Sequence, residues 1–339
     1  MNHPLSPDTR LYIAGHRGLV GSALWRHFRS RGFTELIGRS SDELDLRDST
    51  ATARFFAETR PEVVVCAAAL VGGIVANDSK PVDFLSDNLR IQLNLIDSAV
   101  SNGVRRLLFL GSSCVYPRDA EQPIVEEALL SGPLEATNQA YAVAKIAGIT
   151  QITGIRRQLS LPYISAMPTN VFGPGDNFDP AAGHVVPAMI QRFHRALVAG
   201  DRSVTCWGSG RPRREFLYAD DLADACHFLL DNYDDRVAIN VGTGAEVSIE
   251  ELARIVARIV GYTGEIRWDT SKPDGTPRKR LDTRRLDSLG WHARTSLESG
   301  LRNTYEWFLA NTDEARVGGA TRAGLPAEGD APTFKGRHG

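Results

Sequence analysis

The stretch Leu11-Tyr12-Ile13-Ala14-Gly15-His16-Arg17-Gly18-Leu19-Val20-Gly21 decides the fold. It reads as a short apolar strand, a glycine turn, and the start of a helix whose apolar positions Val20, Leu24 and Phe28 recur at helical spacing. Glycines in such a turn allow a tight bend, close approach of the backbone to a pyrophosphate, and close helix–strand packing. The helix N-terminus adds free amides and the positive end of a dipole. The spacing is GxxGxxG rather than GxGxxG, and taken alone it also suits an ordinary strand-to-helix turn. A strand before it and a helix after it favour a dinucleotide.

Outward from that turn the pattern repeats. Strands are predicted at 35–38, 63–67, 106–110 and 163–167, with helices at 49–59, 84–102 and 138–158 between them. Apolar strands alternating with amphipathic helices make a parallel sheet covered on both faces, here an α/β, Rossmann-type doubly wound sheet. The alternation then loosens. Residues 174–183 form a Pro/Gly/Asp/Asn-rich loop, followed by a helix at 184–199, a strand at 203–207, a glycine turn at 208–210 and a helix at 219–231. A strand at 238–242 returns to the first sheet, and Ser248 with Glu251 makes a capping box for a helix running to 260. The expected division is a cofactor domain over 10–173, rejoined by 215–242, with a smaller discontinuous substrate lobe from 174–214 and 243–312. Residues 315–339 have little to bury and are expected to be a disordered tail.

The 339 residues carry a formal charge of −2 and are 42% hydrophobic, which argues against nucleic acid or an anionic membrane as a partner. Cys66, Cys114, Cys206 and Cys226 show no CxxC spacing, so reduced thiols in a cytoplasmic protein are expected, with no metal site. The N-terminal segment lacks the apolar core of a signal peptide.

At the end of the second strand an acid would select NAD, whereas an arginine accommodates the 2′-phosphate of NADP. Arg39, followed by Ser40 and Ser41 before the first acid Asp42, points to NADP; the alternative is a solvated arginine. Asp45 and Leu46 lie within reach of an adenine, and Ala67 to Ala69 leave room at the sheet edge.

Tyr141 and Lys145, four apart on a predicted helix, share one face. An ammonium near a phenol is expected to lower its pKa, so that it can exchange a proton near neutrality. Ser112 follows the strand at 106–110, at the carboxyl edge where ligands bind, and can hydrogen-bond a substrate carbonyl. Together the three residues suit hydride transfer beside a nicotinamide. Cys114, two beyond Ser112, would point the same way in an extended segment; on its residue type alone a small buried apolar position suits it better.

Six stretches carry a resemblance: 14–18, 71–77, 110–117, 167–174, 214–216 and 272–279. On these the sequence, over roughly 11–312, resembles the extended short-chain dehydrogenase/reductase family, most narrowly its members that act on GDP-bound 4-keto-6-deoxy sugars. The resemblance implies a homodimer joined through the helices at 84–102 and 138–158. It also implies an NADPH-dependent enzyme that epimerises C3 and C5 and reduces C4. Tyr141 is then the proton donor, Lys145 its partner on the nicotinamide ribose, Ser112 the residue orienting the keto oxygen, and Cys114 and His184 the base and acid of epimerisation. Cofactor contacts are implied for Gly15, His16, Arg17, Gly18, Leu19, Val20, Gly21, Arg39, Ser41, Asp45, Leu46, Leu110, Gly111, Ser112, Ser113, Pro168, Thr169, Asn170, Val171 and His184. Arg192, Trp207, Arg214, Asp274 and Lys279 would hold the GDP-sugar. Ser41 stands where family members can carry a second basic residue, which leaves Arg39 alone. Two rival readings are a nucleotide-sugar 4-epimerase or 4,6-dehydratase with retained NAD, and a non-catalytic NADP-binding sensor. A dehydratase would be expected to carry Asp-Glu where Ser113-Cys114 stand, and a sensor has no need of the serine, tyrosine and lysine together.

Overall fold

The computed structural model describes residues 4–179, 183–272 and 274–311; the tail expected over 315–339 lies outside them. The first half runs β1 (Leu11–Ala14), α1 (Leu19–Ser30), β2 (Leu36–Ile37), α2 (Ser49–Thr59), β3 (Val63–Cys66), α3 (Ile74–Ser79), α4 (Pro81–Ser101), β4 (Arg106–Leu110), α5 (Gln139–Leu159) and β5 (Ile164–Pro168). The second runs β6 (Asn170–Phe172), α6 (Val185–Ala199), β7 (Ser203–Trp207), β8 (Arg213–Arg214), β9 (Phe216–Tyr218), α7 (Ala219–Asn232), β10 (Ile239–Val241), β11 (Val247–Ser248), α8 (Ile249–Val260), β12 (Glu265–Asp269), β13 (Arg278–Lys279), α9 (Arg284–Ser288) and α10 (Leu297–Ala310).

Six strands form one parallel sheet in the order β10-β5-β4-β3-β1-β2. Both faces are covered, and β1 shows how. Leu11 and Ile13 enter one apolar cluster with residues of α1 and α7, while Tyr12 and Ala14 enter the opposite cluster with residues of α2, α4 and α5. A period of two with every position buried is the pattern of a strand in a doubly covered sheet. Arg106, at the start of β4, holds α7 by donating to the carbonyls of Leu229 (3.2 Å) and Leu230 (3.0 Å). A third cluster, from Phe172 to Phe308, gathers residues of α6, α8 and α10. β9 pairs with β6 in parallel, and the next strand, β10, pairs with β5, so the chain re-enters the large sheet after leaving it.

Two local expectations need correction. Helix α3 was not foreseen: it is short, and Asn77 Nδ2 ties it back to the carbonyls of Gly72 (2.7 Å) and Gly73 (3.1 Å). The segment after β4 is not extended. Residues Ser113–Val115 form a 3-10 turn, capped by Ser112, whose Oγ accepts from the Cys114 amide at 3.2 Å. Among the described residues no helix is long and apolar enough to cross a membrane.

Candidate active site

The strand order reverses between β1 and β3, where a doubly wound sheet opens a crevice. The glycine turn lies there. Gly15 has φ +82°, and a Cβ on it would fall 2.9 Å from the Ala68 backbone just past β3. Gly18 caps α1 with no side-chain hydrogen bond, and α1 has no acidic residue in its first turn. A Cβ on Gly18 would touch only the Gly15 carbonyl oxygen, at 3.4 Å. The helix end is thus a bare cradle of amides with room above it, the arrangement a pyrophosphate requires. Arg39 is exposed beyond β2, its guanidinium 5.6 Å from the Phe55 ring centroid and donating to the Gly38 carbonyl at 2.8 Å. Ser41 is exposed beside it. The Asp45 carboxylate is committed to Arg47 (2.8 Å), which also meets Asp87 (3.1 Å), and the Asp45 carbonyl accepts from the Asp48 amide (3.0 Å). Pro168 ends β5, and the Thr169 amide donates to the Val241 carbonyl (3.0 Å). Asn170 Nδ2 donates to the Glu215 carbonyl (2.7 Å).

On α5, Tyr141 and Lys145 share one face as predicted, with the Lys145 ammonium 5.8 Å from the Tyr141 ring centroid. Lys145 is buried, donates to the Leu110 carbonyl at 2.8 Å and sits 4.9 Å from the Phe109 ring centroid. Burial lowers its pKa to about 8. The expected fall in the Tyr141 pKa is not found. Burial pushes the phenol up, and the nearby Cys114 pushes it further. The low-dielectric surroundings penalise the phenolate, and this is the largest cause of the rise.

Cys114 is half-buried, and Lys279 on β13 brings its Nζ to 3.8 Å from Sγ. His184 is the N-cap of α6, and its Nδ1 lies 3.8 Å from Asp176 Oδ1. Asp176 raises the His184 pKa; burial and the Lys279 charge oppose it. Lys279 therefore links Cys114 and His184, which are distant in sequence.

The remaining predicted groups line a second wall. Trp207 is 50% exposed, unusual for so large an apolar ring, and lies between two cations: Arg192 and Lys272 each stand 5.8 Å from its centroid. Arg192 also donates to the Thr205 carbonyl at 3.0 Å. Asp274 spends both carboxylate oxygens on Ser209, its amide (2.6 Å) and its hydroxyl (2.7 Å), fixing the turn that follows Trp207. Arg214 is half-buried on β8, between β11 and β13, where the charges of Asp274, Cys114 and Glu135 act on it.

Three residues of this region were not singled out beforehand. Lys272 faces Trp207. Asp176 faces His184. Glu215 is fully buried, and its carboxylate accepts from the amides of Thr243 (2.6 Å), Gly244 (2.8 Å) and Leu281 (2.8 Å). It pins the start of β9 to the loop after β10 and to the segment that follows β13. Only the run Arg214-Glu215-Phe216, an acid between a cation and an apolar strand residue, hinted at this in the sequence.

A Rossmann-type sheet with a bare glycine cradle at its switch point and a Ser/Tyr/Lys set at its carboxyl edge defines a nicotinamide-dependent class of protein. The chain belongs to the NAD dependent epimerase/dehydratase family, whose model matches residues 11–242. It is similar to GDP-L-fucose synthase 1 of Arabidopsis thaliana, at 52% identity over 90% of this chain and 94% of the relative. It is equally similar to GDP-L-fucose synthase of Escherichia coli K12, at 51% over 91% and 98%. Among solved structures it matches a GDP-L-fucose synthetase from Naegleria fowleri bound to NADP, with TM-score 0.85 and 30% identity over 93% of this chain and 98% of that one.

Proposed function

We propose that this chain converts GDP-4-keto-6-deoxy-D-mannose to GDP-L-fucose with NADPH, by epimerisation at C3 and C5 and reduction at C4. The observation that carries the reading is the position of Cys114, beside Tyr141 on one side and 3.8 Å from Lys279 on the other. A hydride-transfer set alone would not call for a thiol there. The relatives at about half identity support the guanine nucleotide and the sugar.

The C4 ketone acidifies the hydrogens on C3 and C5. Cys114 takes an α-proton, and His184 returns one to the opposite face. The charge that develops on O4 meets the Tyr141 hydroxyl and Ser112. NADPH, when bound, supplies the hydride to C4. Tyr141 gives its proton to O4, a role suited to a phenol that burial keeps protonated. Lys145, held on the Leu110 carbonyl, orients the nicotinamide ribose. Gly15 to Gly21 would hold the cofactor phosphates, Arg39 the 2′-phosphate, and Pro168 to Val171 the nicotinamide ring. Arg192, Arg214 and Trp207 hold the nucleotide, and Asp274 acts by fixing the Ser209 turn. A second copy of the chain docks on α4 and α5, where Val82, Leu93 and Val143 are exposed; sedimentation tests this. Unpaired cysteines among the described residues agree with a reducing cytoplasm.

The test is incubation with GDP-4-keto-6-deoxy-mannose and NADPH, following NADPH loss and identifying the sugar. Cys114→Ser abolishes solvent deuterium uptake at C3 and C5 while part of the C4 reduction survives. Undiminished uptake in that variant would falsify the assignment of the base.

A further inference from the structure

We infer that Asp176 is a positioning residue for epimerisation: its buried carboxylate is the counter-charge that orients His184 toward the sugar. This rests on the reading of His184 as the acid of that step.

The geometry is specific. Asp176 is 4% exposed. Its Oδ1 accepts from the Asn177 amide at 2.7 Å and stands 3.8 Å from His184 Nδ1, while its Oδ2 is buried without any hydrogen-bond partner. A carboxylate is costly to bury unless a cation compensates it. Among the described residues His184 is the one basic group within ion-pair distance of Asp176. The loop that carries Asp176 is anchored, because Phe178 is fully buried and packs on Trp307 (6.0 Å) and Phe308 (4.9 Å) of α10. The carboxylate is therefore held by the core of the second lobe and not by a free loop.

The need for such a counter-charge follows from where His184 sits. It caps the N-terminus of α6, fifteen residues long with no acidic residue in its first turn. That end of a helix repels a protonated imidazole. Lys279, the other charged group facing the ring, repels it too. Without Asp176 both neighbours would drive His184 toward the neutral form, which cannot return a proton. The observed upward bias of His184, with Asp176 as its largest cause, matches this balance. The far Nε2 edge of the ring, turned away from the Asp176 carboxylate, is then the edge left to serve the sugar.

The experiment follows the His184 ring by NMR in the free protein, its resonances identified among the eight histidines by their loss in His184→Gln. In the unaltered chain the ring titrates above the ordinary imidazole value of about 6.5. In Asp176→Asn it titrates lower, and in Asp176→Glu the charge is kept and the shift is largely restored. With substrate, the alkaline limb of deuterium uptake at C3 and C5 moves to lower pH in Asp176→Asn by the same amount, while the pH limb of NADPH oxidation stays. A purely structural role would lower both activities together and move neither limb. The inference is overturned if His184 in the unaltered chain titrates at or below the ordinary value, or at the same pH with and without the Asp176 charge. Because the titration needs no substrate, it stands even if the chain fails to make GDP-L-fucose, which would overturn the proposed function instead.

Discussion

Lys279 Nζ stands 3.8 Å from Cys114 Sγ, joining two residues separated by 165 positions. When Cys114 gives up its proton, the charge left on sulfur faces that ammonium. At ~4 Å, opposite unit charges attract by about 1 kcal/mol in water and about 4 kcal/mol in a partly buried site. Lys279→Met is expected to slow deuterium uptake at C3 and C5 at least about tenfold, and Lys279→Arg to recover much of it. A change confined to KM would mean that Lys279 serves the diphosphate alone.

Glu215→Ala leaves the part-buried amides of Thr243 and Gly244 and the buried amide of Leu281 without their acceptor. An orphaned buried donor costs about 1 to 3 kcal/mol and part-buried ones less, so a loss of about 2 kcal/mol or more is expected in urea unfolding. Glu215→Gln, which keeps an acceptor oxygen, should lose less. An unchanged midpoint for the alanine variant would contradict the role assigned to Glu215.

Trp207→Ala removes the ring flanked by Arg192 and Lys272. Stacking and cation–π contacts of this kind contribute about 1 to 2 kcal/mol, so KM for the GDP-sugar should rise about tenfold with little change in kcat. Equal losses in kcat would show that the tryptophan acts on the reacting centre instead.

Outside the site, His27 Nε2 and His227 Nδ1 are 3.0 Å apart between α1 and α7. Burial, then the neighbouring His227, lowers the His27 pKa to about 4 from the ordinary 6.5. Below pH 6.5 the unfolded chain takes up a proton that the folded chain refuses, so stability falls as pH drops from 6.5 toward 4. Thermal unfolding across that window should show the decline, by about 2 kcal/mol after allowing for partial exposure. His27→Gln should flatten it.

The parallel sheet was legible because strand and helix periods write themselves into residue spacing, as in Leu11 to Ala14 and Val20, Leu24, Phe28. The pair Tyr141 and Lys145 was legible for the same reason, since a helix brings residues four apart together. What spacing cannot carry is depth. Burial reverses the expected direction for Tyr141, and Ser112 folds its neighbours into a turn by capping the Cys114 amide. Asp176 and Glu215 look like ordinary loop and strand acids until the folded chain buries them. Cys114 and Lys279 meet where β13 lies beside β8 and the chain just past β13 bridges to Ile124, short pairings that no periodicity announces.

The chain leaves the large sheet after β5 and comes back to it at β10. No single cut, therefore, yields two self-sufficient pieces. A polypeptide ending at Gly173 would present β5 with a bare edge and Arg106 with no helix end to grip, and the remainder would carry α7 with nothing to cover. Expressed apart, the fragments should be inert and aggregation-prone; brought together on fused partners, they should reassemble and regain activity. The same interleaving that builds the cleft makes the molecule a natural two-part reporter of proximity.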